Sequence, residues 1–116
     1  MTDTMRSNAD PSSVQCLAGA DGSLIVRMVG EIDISVWPQL EGAFARVTAG
    51  PPCAVRVDLS ETNFIDSTTL GFLVRMDRHV ADAGHQLVLH APNRTVLRAL
   101  EVSGLDQLLT IRPAEA

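Results

Sequence analysis

The sequence predicts one α/β domain: a five-stranded mixed sheet, begun by an N-terminal hairpin and continued by β-α repeats, with the main helices on one face. Three observations lead there. Short runs with apolar residues at every second position alternate along the chain with stretches of helical period, an order that favours parallel pairing through crossover helices. The strand runs carry polar residues between their apolar ones, Arg27 in the second, Arg56 and Asp58 in the third, Gln86 and His90 in the fourth, so the core lies on one side of the sheet. Right-handed crossovers that move one way across a sheet put every helix on the same face. A chain of 116 residues accommodates this as a single domain.

Residues 1–12 are polar and lack an apolar period, and are expected to form a flexible tail ahead of a domain spanning 13–112, with 113–116 as a C-terminal tail. Val14 to Leu17 reads as a first strand. Ala18-Gly19-Ala20-Asp21-Gly22 supplies an Asp-Gly turn leading into a second strand, Leu24 to Val29, which Gly30-Glu31-Ile32-Asp33 ends. Asp33 or Ser35 can cap a helix with Pro38 in its first turn. Leu40, Ala43, Phe44 and Val47 form its apolar stripe, and the Ala-Gly-Pro-Pro run at 49–52 stops it.

Cys53 to Leu59 is the third strand, and a short polar loop follows. The second long helix starts at Ser67 or Thr68 and runs to about Ala83, with Gly84 as its stop; Leu70, Leu73, Met76 and Val80 should face the sheet. Gln86 to His90 is the fourth strand. Pro92 and Asn93 open a helix from Arg94 to Val102, with Val96, Leu97 and Leu100 inward, and Leu105 to Ile111 provides a last turn and a short fifth strand.

Composition narrows the function. The formal charge is −5 and no basic cluster occurs, so neither nucleic acid nor an anionic membrane is an expected partner. No run approaches the roughly 18 apolar residues of a membrane span, and the N-terminus lacks a signal-peptide pattern, so a cytoplasmic location is expected. All nine basic residues are arginine; the absence of lysine excludes P-loop phosphate binding and Schiff-base chemistry. Cys16 and Cys53 have no CxxC spacing and read as buried strand residues. His79, His85 and His90 share neither a helical face nor a strand face, so neither a metal site nor a cofactor is expected. Ser67, Asp66 and His79 do not make a triad, because His79 lies about 18 Å along the helix from Ser67. No enzymatic activity is expected.

The junction Asp66-Ser67-Thr68-Thr69 is the chemically richest stretch. Asp, Ser and Thr oxygens cap helix N-termini, which is its plainer reading. A hydroxyl exposed at a helix N-terminus is also a place where phosphate is electrostatically favoured. Gly71, Arg75, Arg78 and Asp82 form a separate stripe running away from it.

Four pieces, Gly30-Glu31-Ile32-Asp33, Asp58-Leu59-Ser60 followed by Phe64-Ile65-Asp66-Ser67-Thr68, Leu70-Gly71, and Ser103-Gly104-Leu105, occur in an order and spacing that resembles the STAS domain, most of all the stand-alone anti-sigma factor antagonists. The resemblance spans residues 24 to 111. It implies a partner-switching protein that binds an anti-sigma factor with serine-kinase activity, releases the sigma factor, and is switched off by phosphorylation of the serine after the aspartate, here Ser67, with Thr68 as the alternative. Thr69 departs from the pattern, which has glycine there; a β-branched residue is expected to crowd Ser67 and to be a further acceptor. The implied partner surface comprises Glu31, Asp33, Asp66, Ser67, Thr68, Thr69, Gly71, Arg75 and Arg78, on a protein that is a monomer when free. Two rivals stand beside it: a STAS subunit docked constitutively on the nucleotide-binding subunit of a transport complex, and a small-ligand or nucleotide sensor using the 30–33 and 64–68 loops as a shallow pocket. A response-regulator-like phosphoaspartate domain has a similar element order but needs a lysine.

Overall fold

The computed structural model describes residues 12–114, so the expected N-terminal tail falls, apart from Ser12, outside the described residues, as do the last two positions of the expected C-terminal tail. Five strands form one sheet in the order β1-β2-β3-β4-β5: β1 Ser13–Ala18, β2 Leu24–Ile32, β3 Val55–Ile65, β4 Leu87–His90 and β5 Thr110–Arg112. β1 runs antiparallel to β2 and the remaining pairs are parallel. The helices are α1 Trp37–Ala49, α2 Ser67–Asp82 and α3 Arg94–Val102, with 3-10 turns at Ile34–Val36 and Leu105–Gln107.

The expected one-sided core is present. Val26, Met28 and Ile32 of β2, Val55, Val57 and Leu59 of β3, and Leu87 and Leu89 of β4 pack in one cluster with Leu40, Ala43 and Val47 of α1, Phe72, Leu73, Met76 and Val80 of α2, and Val96 and Leu100 of α3. At roughly 1.5–3 kcal/mol for each large apolar side chain, this layer is the main stabilising contribution. Leu70 and Leu97, expected inward, are only half-buried. Cys16 and Cys53 are half-buried as well, and Cys53 precedes β3 instead of lying in it.

The largest departure from the sequence reading is in β2 and β3. Both continue past the expected ends, and β3 takes in the stretch 60–65 read as a polar loop. Two register shifts, between Arg27 and Val29 and between Gly30 and Glu31, give β3 two more residues than the β2 segment it pairs with. Core-facing positions in β3 therefore run 55, 57, 59, 62, 65, and strict alternation is lost where the bulges fall. Gly30 has φ +85°, and a side chain there would press on the backbone of Ser12, with Cα at 3.0 Å from the added carbon. Ser12 itself is tied in, its Oγ accepting from Glu31 N at 3.1 Å.

Candidate functional site

The extension of β2 and β3 delivers the chain to the start of α2, and side chains lock the junction. Thr62, fully buried, donates from Oγ1 to the Met28 carbonyl at 2.6 Å and so fills the ladder at the first bulge. Asn93 caps α3 by accepting from Val96 N at 2.9 Å while its Nδ2 donates to the Thr62 carbonyl at 2.9 Å. That carbonyl lies where β3 has run beyond its pairing with β4, so Asn93 satisfies a backbone group that the sheet leaves open. At the strand end, Asp66 N donates to Ile32 O at 3.2 Å.

Asp66 is the N-cap of α2. Its Oδ1 accepts from Thr69 N at 2.8 Å and from Thr69 Oγ1 at 2.8 Å, and the same hydroxyl lies 3.1 Å from Ile32 O, so one proton is shared between a carboxylate and a carbonyl. This corrects two expectations. Ser67 is not a cap, and Thr69 is not a surface residue: it is fully buried, and its hydroxyl fastens the first turn of α2 to the end of β2. Thr69, Leu73, Met76 and Val80 fall at 0, 4, 7 and 11 along the helix, a spacing that places Thr69 on the inward stripe.

Ser67 and Thr68 are exposed, and the Ser67 hydroxyl enters no hydrogen bond among the described residues. The first-turn N–H groups of a helix lack intrahelical partners, and only that of Thr69 is taken by Asp66, so the region around Ser67 favours negative charge. Glu31 is exposed at the end of β2, paired in register with Phe64. Asp33 accepts from Ser35 N at 2.9 Å and from Ser35 Oγ at 2.6 Å. Those two bonds hold its carboxyl below the ordinary Asp range, and they cap the 3-10 turn and not α1.

Two residues of this surface were not singled out from sequence: Ile34, 74% exposed, and Phe64, 46% exposed. Both are large apolar side chains left in water, Phe64 at the end of β3 and Ile34 just past the end of β2. Their signal was faint. Phe64 fell in the stretch read as a polar loop, and the bulge that turns it outward is invisible in sequence; Ile34 has an apolar identity in a turn that needs none.

The rest of the expected surface divides. Gly71 is exposed with open space around it, and Arg75 and Arg78 are exposed on the same stripe, but at 1.5 Å per residue Arg78 lies about 16 Å along α2 from Ser67. Arg75 is engaged elsewhere: its guanidinium stacks 4.4 Å from the Phe44 ring centre and pairs with Glu41 at 3.6 Å, clamping α1 to α2 beside the edge-to-face Phe44–Phe72 and Trp37–Phe72 pairs. Among the described residues, no group of three or more His, Cys, Asp or Glu is placed to hold a metal ion, and no helix is long and apolar enough to cross a membrane.

A family model described as Mlab, STAS domain matches residues 10–110. The chain belongs to the STAS domain family. Its domain is 28% identical over 88 residues to the anti-sigma-B factor antagonist of Listeria monocytogenes, covering 76% of this chain and 77% of that protein. An anti-sigma factor antagonist from Mycobacterium paratuberculosis superimposes with TM-score 0.75 at 30% identity, covering 89% of this chain and 88% of the other. The Bacillus cell fate determinant SpoIIAA in its phosphorylated form shares the STAS fold, with TM-score 0.66 at 17% identity over 86% of this chain and 91% of that one.

Proposed function

We propose that this STAS domain is an anti-sigma factor antagonist: it binds an anti-sigma factor with serine-kinase activity, which frees the sigma factor, and phosphorylation of Ser67 switches the binding off. The observation that carries the reading is the contrast at the start of α2, where Ser67 stands exposed and unbonded on a turn whose neighbours Asp66 and Thr69 are both committed to structure. A kinase can reach that hydroxyl without disturbing a cap or the core. The named relatives from Listeria and Mycobacterium support the partner class, and a phosphorylated SpoIIAA supports the compatibility of this fold with phosphate.

The mechanism follows from local charge. In the neutral state Ser67, Thr68, Gly71 and the apolar Ile34 and Phe64 offer uncharged contact area to a partner. A phosphoryl group adds about −1.5 to −2 charges and three acceptor oxygens. On the free domain it is accommodated by the open first turn of α2. Under a partner it is desolvated alongside Glu31, Asp33 and Asp66, and association weakens with no refolding. A differential of about 3 kcal/mol corresponds to roughly a hundredfold in affinity. The domain acts by binding and supplies no catalytic group of its own; the proposed setting is cytoplasmic, with a free monomer.

Intact mass and site mapping after incubation with the cognate anti-sigma factor and ATP test the acceptor, and a binding titration tests the switch. Ser67→Ala is expected to abolish incorporation and to keep binding; Ser67→Asp is expected to bind more weakly than wild type but better than the phosphoprotein. Incorporation that survives Ser67→Ala and disappears in Thr68→Ala moves the site by one residue. Equal binding by wild type, Ser67→Asp and phosphorylated protein rejects the switch and leaves constitutive docking, as on a transport-complex subunit.

A further inference from the structure

The sheet face that carries no helix bears a row of ionisable side chains. Arg27, Asp58, His90 and Arg112 are successive register partners on β2, β3, β4 and β5. In the parallel row two residues towards the β1–β2 turn, Ile25, Arg56, Val88 and Thr110 are partners. Part of this charge is internally balanced. Arg27 pairs with Glu61 at 2.8 Å, and Asp58 accepts from Ser60 N at 3.0 Å. Burial is the largest influence on the Asp58 carboxyl and pushes it up, but the Ser60 bonds with the His90 and Arg27 charges together hold it below the ordinary range.

Among the described residues neither Arg56 nor Arg112 makes a side-chain hydrogen bond or ion pair, and the one carboxylate that feels Arg56 at longer range is Asp21, held below the ordinary range by its Ser23 bonds and, more weakly, by that charge. Both arginines line an open groove of about 870 Å3, with Ile25 and Val88 among its apolar lining and residues of the β1–β2 turn and Pro113 also bordering it. The volume falls in the range of about 300–1,000 Å3 typical of small-molecule sites. Two arginines against Asp21 give the lining a formal charge of +1 with His90 neutral, on a chain of −5. With strands about 4.8 Å apart and a rise of about 3.3 Å per residue, the Arg56 and Arg112 Cα atoms are roughly 12 Å apart, a span that two arginines can close over one ligand. The groove is at the strand ends opposite Ser67, away from the 30–33 and 64–68 loops that the rival sensor reading would use.

We propose that this groove binds a small amphipathic anion, a carboxylate or phosphate on an apolar body, with Arg56 and Arg112 holding the charge and Ile25 and Val88 supporting the apolar part. Asp21, pinned by Ser23 at the turn, repels negative charge there and orients the anionic end towards Arg112. Guanidinium groups suit both oxyanions, because their paired N–H donors match carboxylate and phosphate alike.

The test is a titration of isotope-labelled full-length protein, followed by backbone amide shifts, with octanoate, octyl phosphate, octanol and a short glutamate peptide. Octanoate or octyl phosphate is expected to give saturable shifts at Ile25, Arg56, Val88 and Arg112, and the tighter of the two identifies the headgroup. Octanol, and the double variant Arg56→Gln/Arg112→Gln with either anion, should bind at least tenfold more weakly; Arg56→Lys/Arg112→Lys, which restores the charge but not the paired donors, should recover part of the loss. No saturable shift, shifts centred on Ser67, octanol as tight as the anions, or an undiminished Gln double variant would overturn the proposal. So would a glutamate peptide that displaces octanoate and binds more tightly, which would assign the groove to an acidic protein segment.

Discussion

Where β2 and β3 meet α2, side chains tie one element's backbone to another's: Thr62 to Met28, Asn93 to Thr62, Thr69 to Ile32 and Asp66. Over the bare sheet face at the other strand ends, Arg56 and Arg112 make no hydrogen bond or ion pair among the described residues. The first region spends its polar groups on holding one geometry, and leaves Ser67 and Thr68 as the hydroxyls of that turn with nothing structural to do. The second leaves charge available and contributes little to rigidity. A switch that works by adding charge needs the first kind of platform, because a stiff surface converts a local charge into lost affinity instead of into rearrangement.

Variants can break or sharpen this contrast. The largest effect on stability is expected at Thr69→Val, which keeps shape but strips a buried hydroxyl bonded to a carboxylate, and should cost about 1–3 kcal/mol in denaturant unfolding. Ser67→Ala, two residues away, should stay within about 0.5 kcal/mol; equal losses at the two positions would erase the division of labour in this turn. Asn93→Ala comes next, with about 1–2 kcal/mol from the lost α3 cap and the orphaned Thr62 carbonyl. Arg75→Ala should lose about 1 kcal/mol through its stacking on Phe44 and its half-exposed pairing with Glu41, more than a solvated surface arginine. At the opposite end the Arg56→Gln/Arg112→Gln protein should unfold within about 0.5 kcal/mol of wild type.

The smallest effect depends on pH. Burial raises the Asp77 carboxyl above its ordinary value, so the fold disfavours its charged form. The cost is absent at acid pH, below the unfolded value, and appears as pH rises through the raised folded one. Asp77→Asn should therefore gain a few tenths of a kcal/mol near neutral pH and nothing at acid pH. A gain that is larger at acid pH would reverse the assignment.

Local chemistry carried much of this through the sequence alone. The α3 limits Arg94–Val102, the start of α2 at Ser67 and the one-sided sheet were legible, because caps, glycine stops and period-two runs act over a few residues. The mixed sheet with its leading hairpin followed from the order of those signals. Tertiary structure decided the rest. Strand pairing introduced the two bulges that carried β3 to Ile65 and turned Phe64 outward, and no residue in 60–65 announces a register shift. Packing of α2 against the end of β2 determined that of three adjacent hydroxyls Thr69 is buried and Ser67 and Thr68 are free. The groove exists only because β2, β3 and β4 bring positions 25, 56 and 88 side by side, with 112 two strands from 56 and two residues further along β5. Sequence records which residues can cap, alternate or carry charge; which of them find a partner is settled by neighbours that are distant in the chain, and that separates the committed Asp66 and Thr69 from the open Ser67.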